Sequence, residues 1–501
     1  MRSLYSVEQI RAGEAAAMAQ LPEGALMARA AAGLARRCCD LLGRVYGARV
    51  VLLVGSGNNG GDALYAGALL ARRGAAVTAV LAGSSPHTGG LAALRSAGGT
   101  VTTEDQIAWP AVDLVLDGLV GIGGKGPLRE PQAALARRLR DVRATVVAVD
   151  VPSGVDAGTG EVAGEAVRAD VTVTFGALKT GLLVAPGAEL AGLVELFDIG
   201  LDLPDSELTA LDAVDVAALL PSPSGEASKY TRGVVGIVTG SSQYTGAAVL
   251  SAGGALRAGA GMVRYVGVPH AADQVRMRWP EVVVTDVRAN PVGQIADAAD
   301  VLKAGRVQAW AFGSGLGTGN GSPFVVRSLL ETDLPVLVDA DAITILAGHH
   351  DWLDRAAGTL ITPHAGEFAK LMGTGREEVE AQRLSWARRA ADQLGVTVLL
   401  KGSTTVVADP DGRTAVNTTA TAWLGTAGSG DVLSGVCGSL MAQGLSPFDA
   451  GRVGAFLHGM AGRFASGGAD VTDTSTGAPV AAADLLAVWA DVERAVRAVS
   501  A

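Results

Sequence analysis

The chain is 501 residues long, several times a usual domain of roughly 100–200 residues, so a single small core is excluded. Hydrophobic residues make up 49%, charged residues 18% and aromatic residues 4%, the balance of a folded Ala/Val/Leu/Gly-rich protein and not of a disordered one. The formal net charge of −10 argues against the basic surface needed to wrap nucleic acid or lie on an anionic membrane.

The first residues place Glu8, Arg11 and Glu14 where a secretory signal needs an apolar core, and longer uncharged runs elsewhere are broken by Gly, Ser, Thr and Asn. No leader and no membrane span are expected. Cys38, Cys39 and Cys437 form no CxxC pair and support neither a disulfide framework nor a thiolate zinc site, which fits a reducing cytoplasm. Short apolar runs then alternate with amphipathic text: RVVLLVGSG, DALYAGALLARRG, AAVTAVLAG, VDLVLDG and ATVVAVDVPSG. That alternation predicts βαβ units and a buried parallel sheet, with ligands at the carboxyl ends of its strands.

The strand ends carry the chemistry. GSGNNGGD at 55–62 joins a strand to a helix, and its glycines let backbone N–H groups approach an anion at a helix N-terminus. Asn58 and Asn59 add carbonyl oxygens suited to a hard monovalent cation or a ribose, where a tight turn needs one such residue at most. GIGGKGPLREP brings Lys125 into a glycine loop, and this lysine is one of six against 34 arginines. Asp150 in VDVPSG ends a strand before Pro152, either as an Asx turn or as the partner of Lys125 in an acid/base pair across a small substrate.

In this order GxGNNGGD, the D-x-x-x-G beginning at Asp117, the lysine loop and VDVPSG resemble the NAD(P)H-hydrate epimerase domain, also called the YjeF N-terminal domain. The resemblance implies a Rossmann-like three-layer sandwich. It implies contacts to a hydrated nicotinamide nucleotide from Asn58, Asn59, Gly60, Gly61 and Asp62, from Gly121, Ile122, Gly123, Gly124, Lys125, Gly126 and Pro127, and from Asp150. Potassium would be held by Asn59, Asp117 and Ser153, with Lys125 and Asp150 as the catalytic candidates. Ala63 stands where the family usually has a further glycine.

Pro204, Pro221 and Pro223, with several acids, interrupt the sheet pattern over roughly 205–228. We therefore expect an N-terminal domain at 1–210, a linker at 211–228 and a C-terminal domain at 229–501. The second α/β series reads VVGIVTG, GAAVLSAGGALRAG, MVRYVGV, EVVVTDV, AWAFGSG, LPVLVDADA, TLITPHAGE and VTVLLKGS as strands or strand ends. A hairpin through Asp409-Pro410-Asp411-Gly412 follows, and helical text runs from about Gly430 to Val499.

GTAGSGDVLSG at 425–435 sets three small residues before a helix whose first turn holds Asp431: N–H groups for a phosphate, and a carboxylate to accept the proton of an attacking hydroxyl. No GxxxxGK[ST] occurs, which excludes a P-loop. His364 and Glu367 in ITPHAGE, Lys401 with Ser403, Thr404 and Thr405, and the loop GSGLGTGNG at 313–321 are expected to converge nearby. Asp339 and Asp341 in VDADA either reach a magnesium ion through water or cap the next helix, and we favour the cap.

The GSGD element resembles the ribokinase-like superfamily, and TPHAGE, KGSTT and GSGLG narrow the likeness to the ADP/ATP-dependent NAD(P)H-hydrate dehydratase domain. The resemblance implies that Ala247, Gly315 or Gly317, His364 and Asp431 meet the hydrated nucleotide, with Asp431 catalytic. Lys401, Gly402, Ser403, Thr404, Thr405 and Gly430 would hold ADP or ATP. Ser314 replaces a usual proline, and Ser241-Ser242 a common glycine.

Taken together, the two resemblances imply a cytoplasmic, homo-oligomeric metabolite-repair enzyme. It would interconvert R and S hydrates of NADH or NADPH and dehydrate the S form at the expense of ADP or ATP, with potassium and magnesium as cofactors. Two other readings are a vitamin-precursor or sugar kinase carrying a nucleotide-binding N-terminal module, and a first half that binds without catalysing.

Overall fold

The computed structural model describes residues 1–319, 321–468 and 477–499. It divides into two compact units: Ser3–Ser206, and Met1–Arg2 together with Glu207–Ala501. Both are α/β.

In the N-terminal unit, seven parallel strands form one sheet. Their spatial order is Thr100–Thr102, Ala76–Leu81, Arg49–Val54, Leu114–Gly118, Thr145–Val149, Val171–Phe175 and Leu193–Phe197. The apolar run Val50–Val54 is buried throughout because both faces of the sheet are covered. Val50, Leu52 and Val54 pack toward Leu34 and Leu64 of the helices Ala25–Leu42 and Asn58–Arg72. Val51 and Leu53 point the other way, into a cluster with Leu135 and Leu139 of the helix Gln132–Leu139. Truncating a zero-exposure side chain here, such as Leu52→Ala, would cost about 2–5 kcal/mol.

Strand order reverses beside Arg49–Val54, which pairs with Ala76–Leu81 on one side and with Leu114–Gly118 on the other. The chain leaves these neighbours in opposite directions, opening a crevice beyond their carboxyl ends. The loops at 55–62 and 119–127 flank it.

The C-terminal unit holds an eleven-stranded sheet. From one edge it runs Val283–Asp286, Met262–Gly267, Val234–Val238, Ala309–Phe312, Val336–Val338, Thr359–Ile361 and Thr397–Leu400, all parallel. Two antiparallel pairings add Thr405–Ala408 and Thr414–Asn417, and Leu208–Ala210 and Arg2–Ser3 complete the other edge. The expected hairpin turn is present, with Gly412 at φ +96° and its N–H on the Asp409 carbonyl. A second reversal lies beside Val234–Val238, and its loops begin at Thr239 and Gly313.

Two expectations need correction. GAAVLSAGGALRAG is the helix Thr245–Arg257, not a strand. Its buried Ala248, Ser251, Ala252 and Ala255 recur at helical spacing, and alanine favours helix over strand. The break read at roughly 205–228 is not featureless. It holds the strand Leu208–Ala210 and, inside the expected linker, the helix Ala213–Leu219, and the acids read as breakers form that helix's capping box, Asp212 with Asp215. Asp215 also accepts the Met1 ammonium at 2.6 Å, which ties residue 1 into this unit. The closing helical text comprises Ser429–Ala442, Pro447–Ala465 and Ala482–Ala498, while its residues 469–476, and Asn320 of the glycine loop, lie outside the described residues.

Candidate functional site

At the N-terminal crevice a cleft of about 1540 Å³ is lined by Ser56–Asn59, Asp62, Leu119–Gly124, Asp150 and Glu14. The two loops are pressed together: a Cβ at Gly55 would collide with the Leu119 carbonyl oxygen, so only glycine fits there. Asn58 and Asn59 open the helix Asn58–Arg72, and Gly60 and Gly61 are buried in its first turn. Gly121 to Gly124, Ile122 included, face the cleft. Lys125, Gly126 and Pro127 are exposed beyond its lining.

Asp150 has a direct lysine partner, and it is Lys179 rather than the Lys125 expected opposite it across a substrate. Asp150 Oδ1 accepts from Lys179 Nζ at 2.5 Å, from Thr174 Oγ1 at 3.1 Å and from the Phe175 N–H at 3.1 Å. Lys179 is almost wholly buried and also donates to the Phe175 carbonyl at 2.7 Å. All three donors come from the end of Val171–Phe175 and the turn after it, next to the strand that delivers Asp150. Asp150 itself sits at φ +67°, a backbone state costing about 1–3 kcal/mol for a residue with a side chain. With Oδ1 saturated, Oδ2 has no donor among the described residues and is the oxygen left for chemistry. Burial, and then the charge of Asp150, raise the proton affinities of Asp62 and Glu14, Asp62 to well above the usual carboxylate range. The cleft therefore holds a lysine-paired carboxylate beside carboxyls biased toward the protonated form.

Asp117 is fully buried at the end of Leu114–Gly118. Its Oδ1 accepts from Ser153 Oγ at 2.6 Å and from the Leu119 N–H at 3.3 Å, and its Oδ2 accepts from the Ser153 N–H at 2.8 Å. Burial pushes its carboxyl up to about 6 against those donors. Ser153 Oγ in turn accepts from the Val120 N–H at 2.9 Å. No cationic side chain neutralises Asp117 among the described residues, and the Asn59 amide nitrogen is buried without a partner. An uncompensated buried carboxylate amid amide, hydroxyl and carbonyl oxygens is a donor set suited to a hard monovalent cation.

In the C-terminal unit Asp339 ends the strand Val336–Val338 and is 2% exposed. Its Oδ1 accepts from Lys401 Nζ at 2.9 Å and Thr362 Oγ1 at 2.8 Å, and its Oδ2 from Ser434 Oγ at 2.6 Å and Ser314 Oγ at 3.0 Å. Burial opposes its charge, but Lys401 and the hydroxyls outweigh it and hold the carboxyl below the usual range. Lys401 is half-buried, and Asp339 then Glu367 outweigh the desolvation penalty and raise it. The helix cap favoured for Asp339 and Asp341 is absent: Asp341 Oδ2 instead accepts the Gly317 N–H at 2.8 Å, and no side chain caps the helix Asp341–Leu346. Ala340, at φ +50°, stands between the two carboxylates, which both accept from the glycine loop, Asp339 from Ser314 and Asp341 from Gly317.

Asp431 lies in the first turn of Ser429–Ala442, behind Gly428 at φ +87°. Burial, then the charge of Asp339, push it up to about 6, while Ser314 and Lys401 pull the other way. A Cβ on Gly430 would come 3.3 Å from Lys401 Nζ, which puts the glycine loop beside the lysine. Thr404 and Thr405 are buried, and Gly402 and Ser403 exposed. Gly315 and Gly317 have φ +66° and +74°, and a Cβ at Gly315 would stand 3.1 Å from that of Ala247. His364 is exposed and caps the helix Ala365–Met372, Nδ1 accepting the Gly366 and Glu367 N–H groups at 3.0 and 3.1 Å.

Sequence reasoning missed Lys179, Glu14, the pairing role of Asp339, and His458. The last is buried and kept neutral, pushed down to about 4 by that burial, and its Nε2 donates to the Ser429 carbonyl at 2.9 Å. Lysine scarcity alone was a usable signal for Lys179, since the argument that marks Lys125 marks it equally.

A family profile described as YjeF-related protein N-terminus matches residues 23–181, and one described as NAD(P)H-hydrate dehydratase matches residues 235–479. The chain is 47% identical over 484 residues to the bifunctional NAD(P)H-hydrate repair enzyme Nnr of Mycobacterium leprae, covering 95% of this chain and 97% of that one. The Mycobacterium tuberculosis protein of the same name is 48% identical over 451 residues, covering 89% and 90%. Among solved structures, the ADP/ATP-dependent NAD(P)H-hydrate dehydratase from Bacillus subtilis, co-crystallised with ATP/Mg2+, is similar with TM-score 0.50 and 26% identity over 57% of this chain and 98% of that one.

Proposed function

The chain belongs to the bifunctional NAD(P)H-hydrate repair enzymes, and from that premise we propose how each unit does its part. The N-terminal unit epimerises hydrated NADH and NADPH, and the C-terminal unit dehydrates the S hydrate at the expense of ADP or ATP. The observation that carries this is the presence, at each of the two strand-order reversals, of a separate acid/base set facing a glycine loop.

In the epimerase, a protonated carboxyl, Asp62 or Glu14, gives its proton to the departing ring hydroxyl as the C–O bond breaks. The lone pair of the ring nitrogen supplies the electrons. The flattened ring is then open to water on either face, and Asp150 Oδ2 accepts that water's proton as the new C–O bond forms. Lys179 holds Asp150 in place through its hydrogen bond to Oδ1. Potassium, held by Asn59, Asp117 and Ser153, would supply a fixed positive charge next to the glycine loop. The buried carboxylate of Asp117, with no cationic side chain beside it among the described residues, supports that assignment.

In the dehydratase, Lys401 to Thr405 and Gly430 hold the nucleotide, with magnesium arriving on its phosphates as part of the co-substrate. The N–H groups around Gly428 to Gly430 face the transferring phosphoryl group at the positive end of Ser429–Ala442. The ring hydroxyl attacks the terminal phosphorus, Asp431 takes the hydroxyl proton, and the P–O bond to the nucleotide breaks. The phosphate ester then leaves as orthophosphate while the ring carbon next to it loses a proton, which restores the dihydronicotinamide.

No helix among the described residues is long and apolar enough to cross a membrane. Three free cysteines, two of them buried, suit a reducing cytoplasm. Incubating the protein with hydrated NADH and ADP should return reduced-nicotinamide absorbance in step with orthophosphate. Accumulation of a stable phosphorylated nucleotide would instead favour a kinase.

A further inference from the structure

We propose that Asp339 is a positioning residue of the dehydratase: its buried carboxylate holds Lys401 away from Asp431 and so keeps Asp431 a base of useful strength. This rests on the dehydratase reading above. The four donors on Asp339 come from four separate segments: Ser314 after Ala309–Phe312, Thr362 after Thr359–Ile361, Lys401 after Thr397–Leu400, and Ser434 within Ser429–Ala442. Two donors on each oxygen leave it no lone pair directed at a substrate, so it acts through what it holds.

Ser434 stands three residues after Asp431 on the same helix, so Asp339 also fixes the turn that carries the base. The ammonium of Lys401 has two carboxylates within its field besides Asp339, Asp431 and Glu367. It is tied to Asp339 at 2.9 Å. Remove that negative charge and the lysine's strongest remaining partners are those two, of which Asp431 follows Gly430, whose Cβ would stand 3.3 Å from Lys401 Nζ. Pairing with Asp431 would make the base weaker and put an ammonium where the substrate hydroxyl must sit.

The other groups around Asp431 do not compensate. Asp341 adds negative charge, the Ser314 hydroxyl is committed to Asp339, and His458, which feels the Lys401 charge from Pro447–Ala465, is neutral. Cys437, behind Asp339 on Ser429–Ala442, has its thiol pushed up by burial and stays uncharged. Asp431 is held up partly by Asp339 itself, so losing that charge lowers its proton affinity by both routes.

The test is the pH profile of kcat for hydrate dehydration in D339N, with T362V as the control that removes one donor and keeps the charge. We expect the acid limb of D339N to move down by about one unit, the usual scale for one nearby charge, with plateau kcat falling about tenfold or more and KM for ADP rising. T362V should keep the limb in place. A folded D339N with the wild-type acid limb, or a T362V limb that moves as far, overturns the proposal. If D339N does not fold, K401Q carries the test: an unpaired Asp339 beside Asp431 should move the limb upward, and an unmoved limb overturns the coupling. A wild-type protein without nucleotide-dependent turnover would instead sink the dehydratase reading itself.

Discussion

Asp339 and Asp431 lie within each other's field, yet their surroundings drive them to opposite protonation tendencies. Four donors hold Asp339 ionised, while burial and the charge of Asp339 lift Asp431 to about 6. Such separation is how a site makes one carboxylate a fixed charge and its neighbour a base. A raised pKa means that Asp431 is protonated, and useless as a base, below about 6, so kcat for dehydration should rise through that pH and level off above it. Measuring kcat from pH 5 to 8 checks this, and a flat profile would remove Asp431 from the proton-transfer step. Asp431→Asn keeps the size and should bind ADP nearly normally in calorimetry while losing turnover by about two to four orders of magnitude. In the first unit, Lys179→Met should reduce R-to-S interconversion far more than Lys125→Ala, because Lys179 is buried against Asp150 and Lys125 is exposed. Equal losses would return Lys125 to the catalytic pair. The glycine loop makes Lys125 visible in sequence; nothing local shows that the turn after Val171–Phe175 brings Lys179 under Asp150.

Strands such as Val50–Val54 are legible because continuous apolar runs of that length fit a sheet covered on both faces. The helix Thr245–Arg257 is not, since Ala and Gly line most of it and no polar face marks a helical period. The segment after residue 206 is illegible for a different reason: the partner of Leu208–Ala210, Thr414–Asn417, lies some two hundred residues away. The same holds for the site. Its glycine loops can be read locally, whereas the Asp339 cluster joins residues from 314 to 434 and exists only once the sheet is assembled. If Leu208–Ala210 and Ala213–Leu219 belong to the C-terminal unit, fragment 207–501 should be soluble and cooperatively folded. Fragment 229–501, which bares the edge strand Thr414–Asn417, should aggregate or melt several degrees lower. Equal melting temperatures would make that strand and helix dispensable.

At the scale of the whole chain, two activities on one polypeptide matter only if they act in series on one pool. The dehydratase accepts one hydrate epimer, so the other is recovered only as fast as the ring hydroxyl is exchanged between faces. In the epimerase mechanism proposed above that demand falls on Asp150, in a different compact unit from Asp431. An equal mixture of R and S hydrates with excess ADP separates the two roles by amplitude as well as rate. Wild-type protein should return nearly all the reduced-nicotinamide absorbance in one enzyme-limited phase. Asp150→Ala should return the S share at the wild-type initial rate and then slow to whatever uncatalysed epimerisation allows. Asp431→Asn should return almost none, yet drive a pure R or pure S sample to the same mixture as wild type does. Mixing the two variants should restore the full single phase, since released hydrate diffuses from one to the other. A folded Asp150→Ala that also loses the fast phase, or one that keeps full amplitude at wild-type rate, would overturn this division of labour.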